Sequence, residues 1–178
     1  MEIRVFDDYL PKDQFQFLTD LFLWKTDVPW VLCPEVAHRS ENIDEYWNWY
    51  AIHPIYGYPE NDTISPHTPC FSSLNNIFFE EFRDQGIMRS LIRAKANFYP
   101  GTDKVYEHDP HTDYPWSHTA AIFSLNTCDG FTKVGDEKVE SVANRLLLFD
   151  GSKPHNSCLL YTSPSPRDYA ASRMPSSA

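Results

Sequence analysis

The sequence predicts a single α+β domain in which two helices pack against a β-sandwich or jelly roll. In the N-terminal half, apolar residues recur at helical spacing in two segments. From about residue 87 onward, short β-prone runs follow one another at near-regular spacing, with turn signals but no helix between them. Aromatic residues make up 15% of the chain, and their side chains favour strands and aromatic-lined pockets.

The two helical patterns are separated by a long irregular stretch. The first predicted helix covers residues 12–24 and the second covers residues 71–86, where Gly86 provides a natural stop. Residues 25–70 are rich in Pro, Trp, Tyr and His, and we expect irregular connections there with one or two strands. The apolar residues that share a helix face are Phe15, Leu18, Leu21 and Phe22 in the first segment, and Leu74, Ile77, Phe78 and Phe82 in the second.

The second half of the chain carries the strand patterns. The first ends in a Pro-Gly turn, the second is followed by a Cys-Asp-Gly turn, and the last is a continuous apolar run that ends at Gly151. The predicted strands lie within residues 91–101, 118–126, 131–135, 137–143 and 145–151.

Composition excludes several classes of protein. The chain has 178 residues, about one domain, and a net charge of −10 that disfavours nonspecific binding to nucleic acids or anionic membranes. No stretch reaches the ~18 apolar residues of a membrane span, and the acidic start is unlike a signal peptide. The four cysteines form no CxxC pair, which favours reduced thiols and a cytoplasmic location. We expect neither a membrane nor a nucleic-acid partner.

The C-terminal segment differs in kind from the rest. Ser, Pro and Ala dominate residues 158–178 without any period, which is typical of a disordered terminus. The segment also resembles a translated sequencing adapter, in blocks 158–168 and 172–178 on either side of a variable index. We therefore expect one domain over residues 1–157, truncated at its C-terminus, followed by a non-native disordered tail.

Three residues have the spacing of a metal site. His111 and Asp113 stand two residues apart, so in a strand both point to the same side, and His155 follows the last predicted strand. Two imidazoles and one carboxylate form the facial set of non-haem Fe(II) oxygenases, although zinc accepts the same ligand types. An isolated HxD pair is a weak signal. Other candidate ligands crowd the same region and keep the choice open: His108, Asp109 and His118.

The motifs around these residues follow a recognisable order. An HxD pair precedes a hydrophobic strand that ends in Leu-Asn; an acidic-Gly turn with a Thr follows, then an Asn-Arg strand into Phe-x-Gly and a distal His. The matching positions are His111, Asp113, Leu125, Asn126, Asp129, Gly130, Thr132, Asn144, Arg145, Phe149, Gly151 and His155. This order resembles the iron(II)- and 2-oxoglutarate-dependent oxygenase superfamily, on its prolyl 4-hydroxylase-like side, and is similar to small oxygenases of tailed phages and marine microbes. FDDYLPKDQF and RAKANFYPG resemble its N-terminal elements, so the resemblance covers nearly all of residues 1–157.

The resemblance implies a double-stranded β-helix, a jelly roll with the metal at its open end. It implies hydroxylation of a substrate, a small molecule or a protein side chain, coupled to conversion of 2-oxoglutarate and O2 to succinate and CO2. Ascorbate is a further candidate cofactor, and a phage-encoded enzyme would act in the host cytoplasm. The implied Fe(II) ligands and catalytic residues are His111, Asp113 and His155, and the implied cosubstrate-binding residues are Tyr99, Ser124 and Asn126. Ser124 stands where the family often has tyrosine.

One family feature has no counterpart. The family places an Arg or Lys roughly nine to ten residues after the distal His, where it binds the 5-carboxylate of 2-oxoglutarate. Residues 161–166 occupy that place here, and Arg167 is not assigned the role. We therefore expect the last strand to be missing and this chain to be an impaired enzyme.

Two alternatives remain beside the oxygenase. A cupin-like metalloenzyme of another reaction class could use the same triad with a different metal, and release of succinate separates it from an oxygenase. A non-catalytic jelly-roll binding module could keep the fold alone, and a metal-binding assay separates it from both enzymes.

Overall fold

The protein is described by a computed structural model that covers residues 2–24, 28–36, 48–57, 69–102 and 104–158. Within these ranges the chain forms short strands and two helical stretches. The strands are β1 (Arg4–Phe6), β2 (Val31–Cys33), β3 (Tyr50–Tyr56), β4 (Ala94–Phe98), β5 (Thr119–Ser124), β6 (Phe131–Val134), β7 (Glu137–Glu140), β8 (Arg145–Asp150) and β9 (His155–Ser157).

Both predicted helices form. The first is α1 (Lys12–Thr19), which continues into a π-helical turn over Asp20–Trp24. The second consists of α2 (Pro69–Leu74), a π-helical turn and α3 (Glu80–Asp84), after which the chain adopts a positive φ of 70° at Gly86. No helix in the described part of the chain is long and apolar enough to cross a membrane.

The strands pair into three antiparallel sheets. The central sheet has the order β1-β8-β5, the outer sheet has the order β7-β6-β9, and the N-terminal sheet has the order β2-β3-β4. Two isolated bridges, Glu107 to Cys158 and His111 to His155, bring residues 107–111 alongside β9. Since β9 pairs with β6 on its other side, it lies inside the outer sheet rather than at its edge.

Strand β8 separates two hydrophobic cores. Because side chains alternate along a strand, Leu146 and Leu148 point to one face and Leu147 and Phe149 to the other. The first pair packs into the larger core with both helical stretches. The second pair packs against Val134 of β6, so the second core lies between the central and outer sheets. A strand buried on both faces explains the unbroken apolar run in the sequence.

The α+β class and the two helices are confirmed, while the double-stranded β-helix stays a prediction. The five predicted strand segments each contain an observed strand, and β2 and β3 fall within the stretch where one or two strands were expected. Strands β1 and β9 were not predicted from strand patterns. Of the predicted tail, residues 159–178 lie outside the described part of the chain. Cys158 is buried and donates its N–H to the Phe131 carbonyl at 2.9 Å.

The Asn-Arg motif at the start of β8 binds the N-terminal segment. The buried Asn144 side chain accepts the N–H of Leu10 and donates to its carbonyl, both at 2.9 Å. Asn144 also has a φ of 64°, a left-handed conformation that asparagine tolerates better than most residues. Its neighbour Arg145 pairs with Asp7 through two hydrogen bonds of 2.6 and 3.0 Å. The motif therefore joins the two ends of the domain.

We predict that Asn144→Ala lowers the free energy of unfolding by about 2–4 kcal/mol, because it leaves two buried backbone groups of Leu10 unsatisfied and places alanine at positive φ. Asn144→Gly should cost about 1 kcal/mol less, since glycine tolerates that φ. Urea unfolding measures both. Asn75→Ala, which removes only surface contacts with Glu80 and Arg83, is the control. Equal stability of wild type and Asn144→Ala contradicts a stabilising role for the hydrogen bonds between Asn144 and Leu10.

Candidate metal centre

The turn between β8 and β9 is built by its own polar residues. The Oδ1 atom of Asp150 accepts the N–H of Ser152 at 3.1 Å and its hydroxyl at 2.7 Å, and the Asp150 carbonyl accepts the N–H of Lys153 at 3.0 Å. Asp and Ser favour such turns because their side chains bond to nearby backbone. The turn reverses the chain, so that β9 begins at His155.

Backbone hydrogen bonds bring the other two residues of the triad beside this turn. His111 and His155 exchange both of their N–H to carbonyl bonds at 2.9 Å. Two residues later, the N–H of Asp113 donates to the carbonyl of Gly151 at 3.1 Å. The separation between the three side chains is therefore set by main-chain pairing, which does not depend on the identity of the side chains.

The three predicted ligands converge. One ligand atom from each of His111, Asp113 and His155 lies within 4.8 Å of the others, and Asp113 Oδ2 is 3.7 Å from His155 Nε2. Ligands at ~2.1 Å from one ion stand roughly 3 Å apart on one face of an octahedron. Contractions of up to about 2 Å between the three ligand atoms would close that face. The group could thus hold a metal ion.

The histidines carry the chemistry that such an ion requires. The Nδ1 atom of His155 donates to the Lys153 carbonyl at 2.9 Å, which leaves the lone pair of Nε2 directed at Asp113. The Nδ1 atom of His111 is buried and has no hydrogen-bond partner among the described residues. Burial, followed by the proximity of the His155 imidazole, lowers the pKa of His111 and favours its neutral form, which is the form that binds metals. The donor set therefore fits a divalent transition metal.

Arg93 fixes the orientation of the carboxylate. Its Nη2 atom donates to Asp113 Oδ1 at 2.7 Å, while Oδ2 faces His155. The two carboxylate oxygens of Asp113 therefore face different partners, Oδ1 toward Arg93 and Oδ2 toward His155. This arrangement favours metal coordination through Oδ2 alone. This contact was not predicted. Alternation along residues 91–101 places Arg93 and Lys95 on one face, and that pattern is the sequence signal that could have indicated it.

His118 also lies close to the Asp113 carboxylate. Its Nε2 atom is 3.9 Å from Asp113 Oδ2, and its Nδ1 atom donates to the Trp116 carbonyl at 2.8 Å. His118 does not belong to the group of mutually close ligand atoms. Among the three further candidate ligands named from the sequence, His118 is the one whose ring nitrogen lies close to the carboxylate of Asp113. A Cβ on Gly151 would overlap Nε2 of His118, so a larger residue at that position requires the imidazole to shift.

Tyr99 contacts β9 two residues beyond His155, and its role in binding the cosubstrate stays a prediction. Its hydroxyl accepts hydrogen bonds from Ser157 Oγ at 3.4 Å and from Asn97 Nδ2 at 3.5 Å, and burial raises its pKa. Ser157 follows His155 by two residues on β9, so both side chains point to the same side. The ring of Tyr99 stacks on Tyr50 with centroids 5.5 Å apart.

Ser124 and Asn126 are not brought to the triad. In the β5-β8 ladder, Thr119 pairs with Asp150 beside the metal centre, whereas Ser124 pairs with Arg145 at the opposite end. Five residue steps separate these two ends, about 17 Å along the strand. Asn126 follows beyond Ser124. Their assignment to the cosubstrate site stays a prediction.

Comparison of the chain with protein-family models gives no match, and no curated protein matches it. The character of the site therefore rests on its geometry. Two imidazoles and one carboxylate, held by backbone pairing and by Arg93, define a candidate mononuclear metal centre.

We predict that Gly151→Ala lowers the free energy of unfolding by about 1–3 kcal/mol, because the new methyl group overlaps the ring of His118. The double variant Gly151→Ala/His118→Ala should be more stable than the sum of the single changes implies, since the smaller side chain removes the overlap. Urea unfolding of the four proteins in this cycle measures the difference. Strict additivity contradicts the steric argument.

We predict that the effect of Asp150→Asn on stability depends on pH. Hydrogen bonds from Ser152, then from Ser117, hold the pKa of Asp150 well below its usual range. A lowered folded-state pKa contributes stability above the unfolded value of ~3.9, and this contribution is lost as the pH falls through the folded value. Asp150→Asn should therefore destabilise the protein at pH 7, by an amount that shrinks below about pH 4. Exposed Asp136→Asn is the control, and a pH-independent difference contradicts the prediction.

Proposed function

We propose that the protein is an Fe(II)- and 2-oxoglutarate-dependent oxygenase that hydroxylates a substrate. The observation that carries the proposal is the convergence of His111, Asp113 and His155, which brings ligand atoms of two imidazoles and one carboxylate within 4.8 Å of one another. This is the facial ligand set typical of non-haem Fe(II) oxygenases. The order of motifs along the sequence supports the same class.

The proposal includes a double-stranded β-helix. Its support is the path of the chain between the two facing sheets: β5 lies in the central sheet, β6 and β7 in the outer sheet, β8 in the central sheet and β9 in the outer sheet. A chain that passes repeatedly between two facing antiparallel layers winds as a jelly roll does. Residues 107–111 extend the outer layer beside β9.

The residues of the chain have separate tasks in this function. When bound, Fe(II) and 2-oxoglutarate supply the oxidising chemistry, in which O2 is consumed, CO2 and succinate are released and a hydroxyl group reaches the substrate. His111, Asp113 and His155 would hold the metal through three protein atoms, which leaves further coordination positions for other ligands. The Lys153 carbonyl keeps the proton of His155 on Nδ1, and Arg93 occupies the second oxygen of Asp113.

Aromatic rings flank the centre on two sides. Phe149 packs edge-on against His155 with ring centroids 4.9 Å apart, which restricts rotation of the imidazole. Tyr114 stacks on Trp116 at 4.8 Å and lies under the guanidinium of Arg93 at 5.6 Å. Trp116 is 54% exposed. Its exposed ring is suited to contact an incoming substrate at the mouth of the site.

A metalloenzyme of another reaction class is the second candidate. The position of His118 favours it, because a third imidazole nitrogen lies 3.9 Å from the carboxylate oxygen of Asp113. A modest shift would offer three nitrogens and one oxygen, a donor set that zinc also accepts. Such an enzyme would bind metal but would release no succinate from 2-oxoglutarate.

We predict that the protein binds Fe(II) and releases succinate when Fe(II), 2-oxoglutarate and O2 are all supplied. Asp113→Ala should abolish both, because it removes the only carboxylate of the triad. Anaerobic titration with Fe(II) measures binding, and quantification of succinate measures turnover. Exposed Asp109→Ala, two residues before His111, is the matched control and should leave both unchanged.

The outcomes separate the candidates. Binding of Fe(II) without any succinate release at saturating 2-oxoglutarate, where weakened cosubstrate binding is overcome, favours the second metalloenzyme class. Loss of that Fe(II) binding in His118→Ala would place His118 among its ligands. Unchanged Fe(II) affinity in Asp113→Ala contradicts the metal centre itself.

A further inference from the structure

The face of β4 that looks away from the larger core carries a row of polar side chains. Ala94 and Ala96 pack against the larger core, so the intervening residues point to the opposite side. Arg93 begins the row at the metal triad, where it contacts Asp113, and Tyr99 ends it at Ser157 of β9. Lys95 lies between them.

Lys95 is a half-buried cation without an anionic partner among the described residues. Its ammonium lies 5.2 Å from the ring centroid of Tyr50, a cation–π contact that replaces only part of the lost hydration. Burial, followed by the like charge of Arg93, lowers its pKa, and the Asp113 carboxylate opposes this change. A half-buried charge is expensive unless a counter-charge approaches it.

The charges beside the triad are positive in excess. Arg93 and Lys95 contribute two positive charges and Asp113, held by Arg93 at 2.7 Å, contributes one negative charge, and a divalent metal ion on the triad would add to the excess. Arg93 uses only Nη2 in that contact, so further N–H groups of its guanidinium can donate to a second anion. A negatively charged group of the bound molecule would compensate Lys95, and a carboxylate carries such a charge at neutral pH.

We infer that Lys95, assisted by Arg93, binds a carboxylate group of the molecule that occupies the metal centre. The inference rests on the proposed function in so far as it places a ligand at the triad. It assigns the carboxylate-binding role to β4, the strand that precedes the metal-binding loop. The carboxylate belongs either to the far end of a 2-oxo dicarboxylic acid or to the substrate, and both have the same chemistry toward Lys95.

The test compares two oxo acids of the same chain length on the full-length protein loaded with Mn(II). 2-Oxoglutarate ends in a carboxylate and 2-oxopentanoate ends in a methyl group. Calorimetry should show wild type binding 2-oxoglutarate at least about tenfold more tightly. Lys95→Met should bring the two affinities to within about twofold, and Lys95→Arg should restore most of the preference. Mn(II) affinity should stay unchanged in both variants.

A matched control variant is available in the same chain. Lys104 also lies over a tyrosine ring, 5.0 Å from the centroid of Tyr106, but it is exposed. Lys104→Met should leave the preference for 2-oxoglutarate unchanged. Circular dichroism and thermal unfolding confirm that each variant is folded before affinities are compared.

The remaining arms identify the source of the carboxylate. If Lys95 binds a carboxylate of the substrate, wild type will bind the two oxo acids with equal affinity. Acetate will then bind to wild-type protein that already holds Mn(II) and 2-oxopentanoate. The same complex of Lys95→Met will not bind acetate. If neither oxo acid binds while succinate binds in a Lys95-dependent manner, the proposed function fails and the carboxylate site stands. The inference is overturned if no carboxylate has an affinity that depends on Lys95.

Discussion

Burial of β8 on both faces is the constraint on which the rest of the structure depends. Leu146 and Leu148 anchor the helices, and Leu147 and Phe149 anchor the outer sheet, so one strand holds two cores in register. A register slip of one residue would exchange the two faces and disrupt both cores at once. Because the strand cannot slide, the turn that follows Asp150 starts at a defined point.

The geometry of the candidate metal centre depends on where that turn starts. The Asp150 turn sets the start of β9 and hence the position of His155, and the carbonyl of Gly151 binds the N–H of Asp113. His111 is placed by its backbone bridge to His155. Since the ligands are positioned by rigid main-chain pairing, metal binding requires little ordering of the chain. Preorganisation of this kind lowers the entropy that binding must overcome.

Sequence patterns predicted the parts with strong periodicity. The two helices and the buried run of β8 followed from spacing alone, whereas the triad was selected because the motifs around it resemble those of a known superfamily. Strands β1 and β9 have three residues each, too few to show an alternation, and their pairing depends on distant partners. The contact between Arg93 and Asp113 joins residues 20 positions apart in sequence and depends on tertiary packing, which local patterns do not encode. The opposite placement of Ser124 follows from the β5-β8 register, which the sequence left open.

The two hydrogen bonds between Asn144 and Leu10 also constrain how the chain can fold during synthesis. Its partners are 134 residues apart, and β1 pairs with β8 across a similar separation. At roughly 5–20 residues per second, the ribosome needs about 7–30 s to make the chain between them. For that time the N-terminal strand has no partner strand, and its backbone N–H and carbonyl groups are open to other chains. Docking of β1 must therefore be among the last events of folding, and it closes a very long loop.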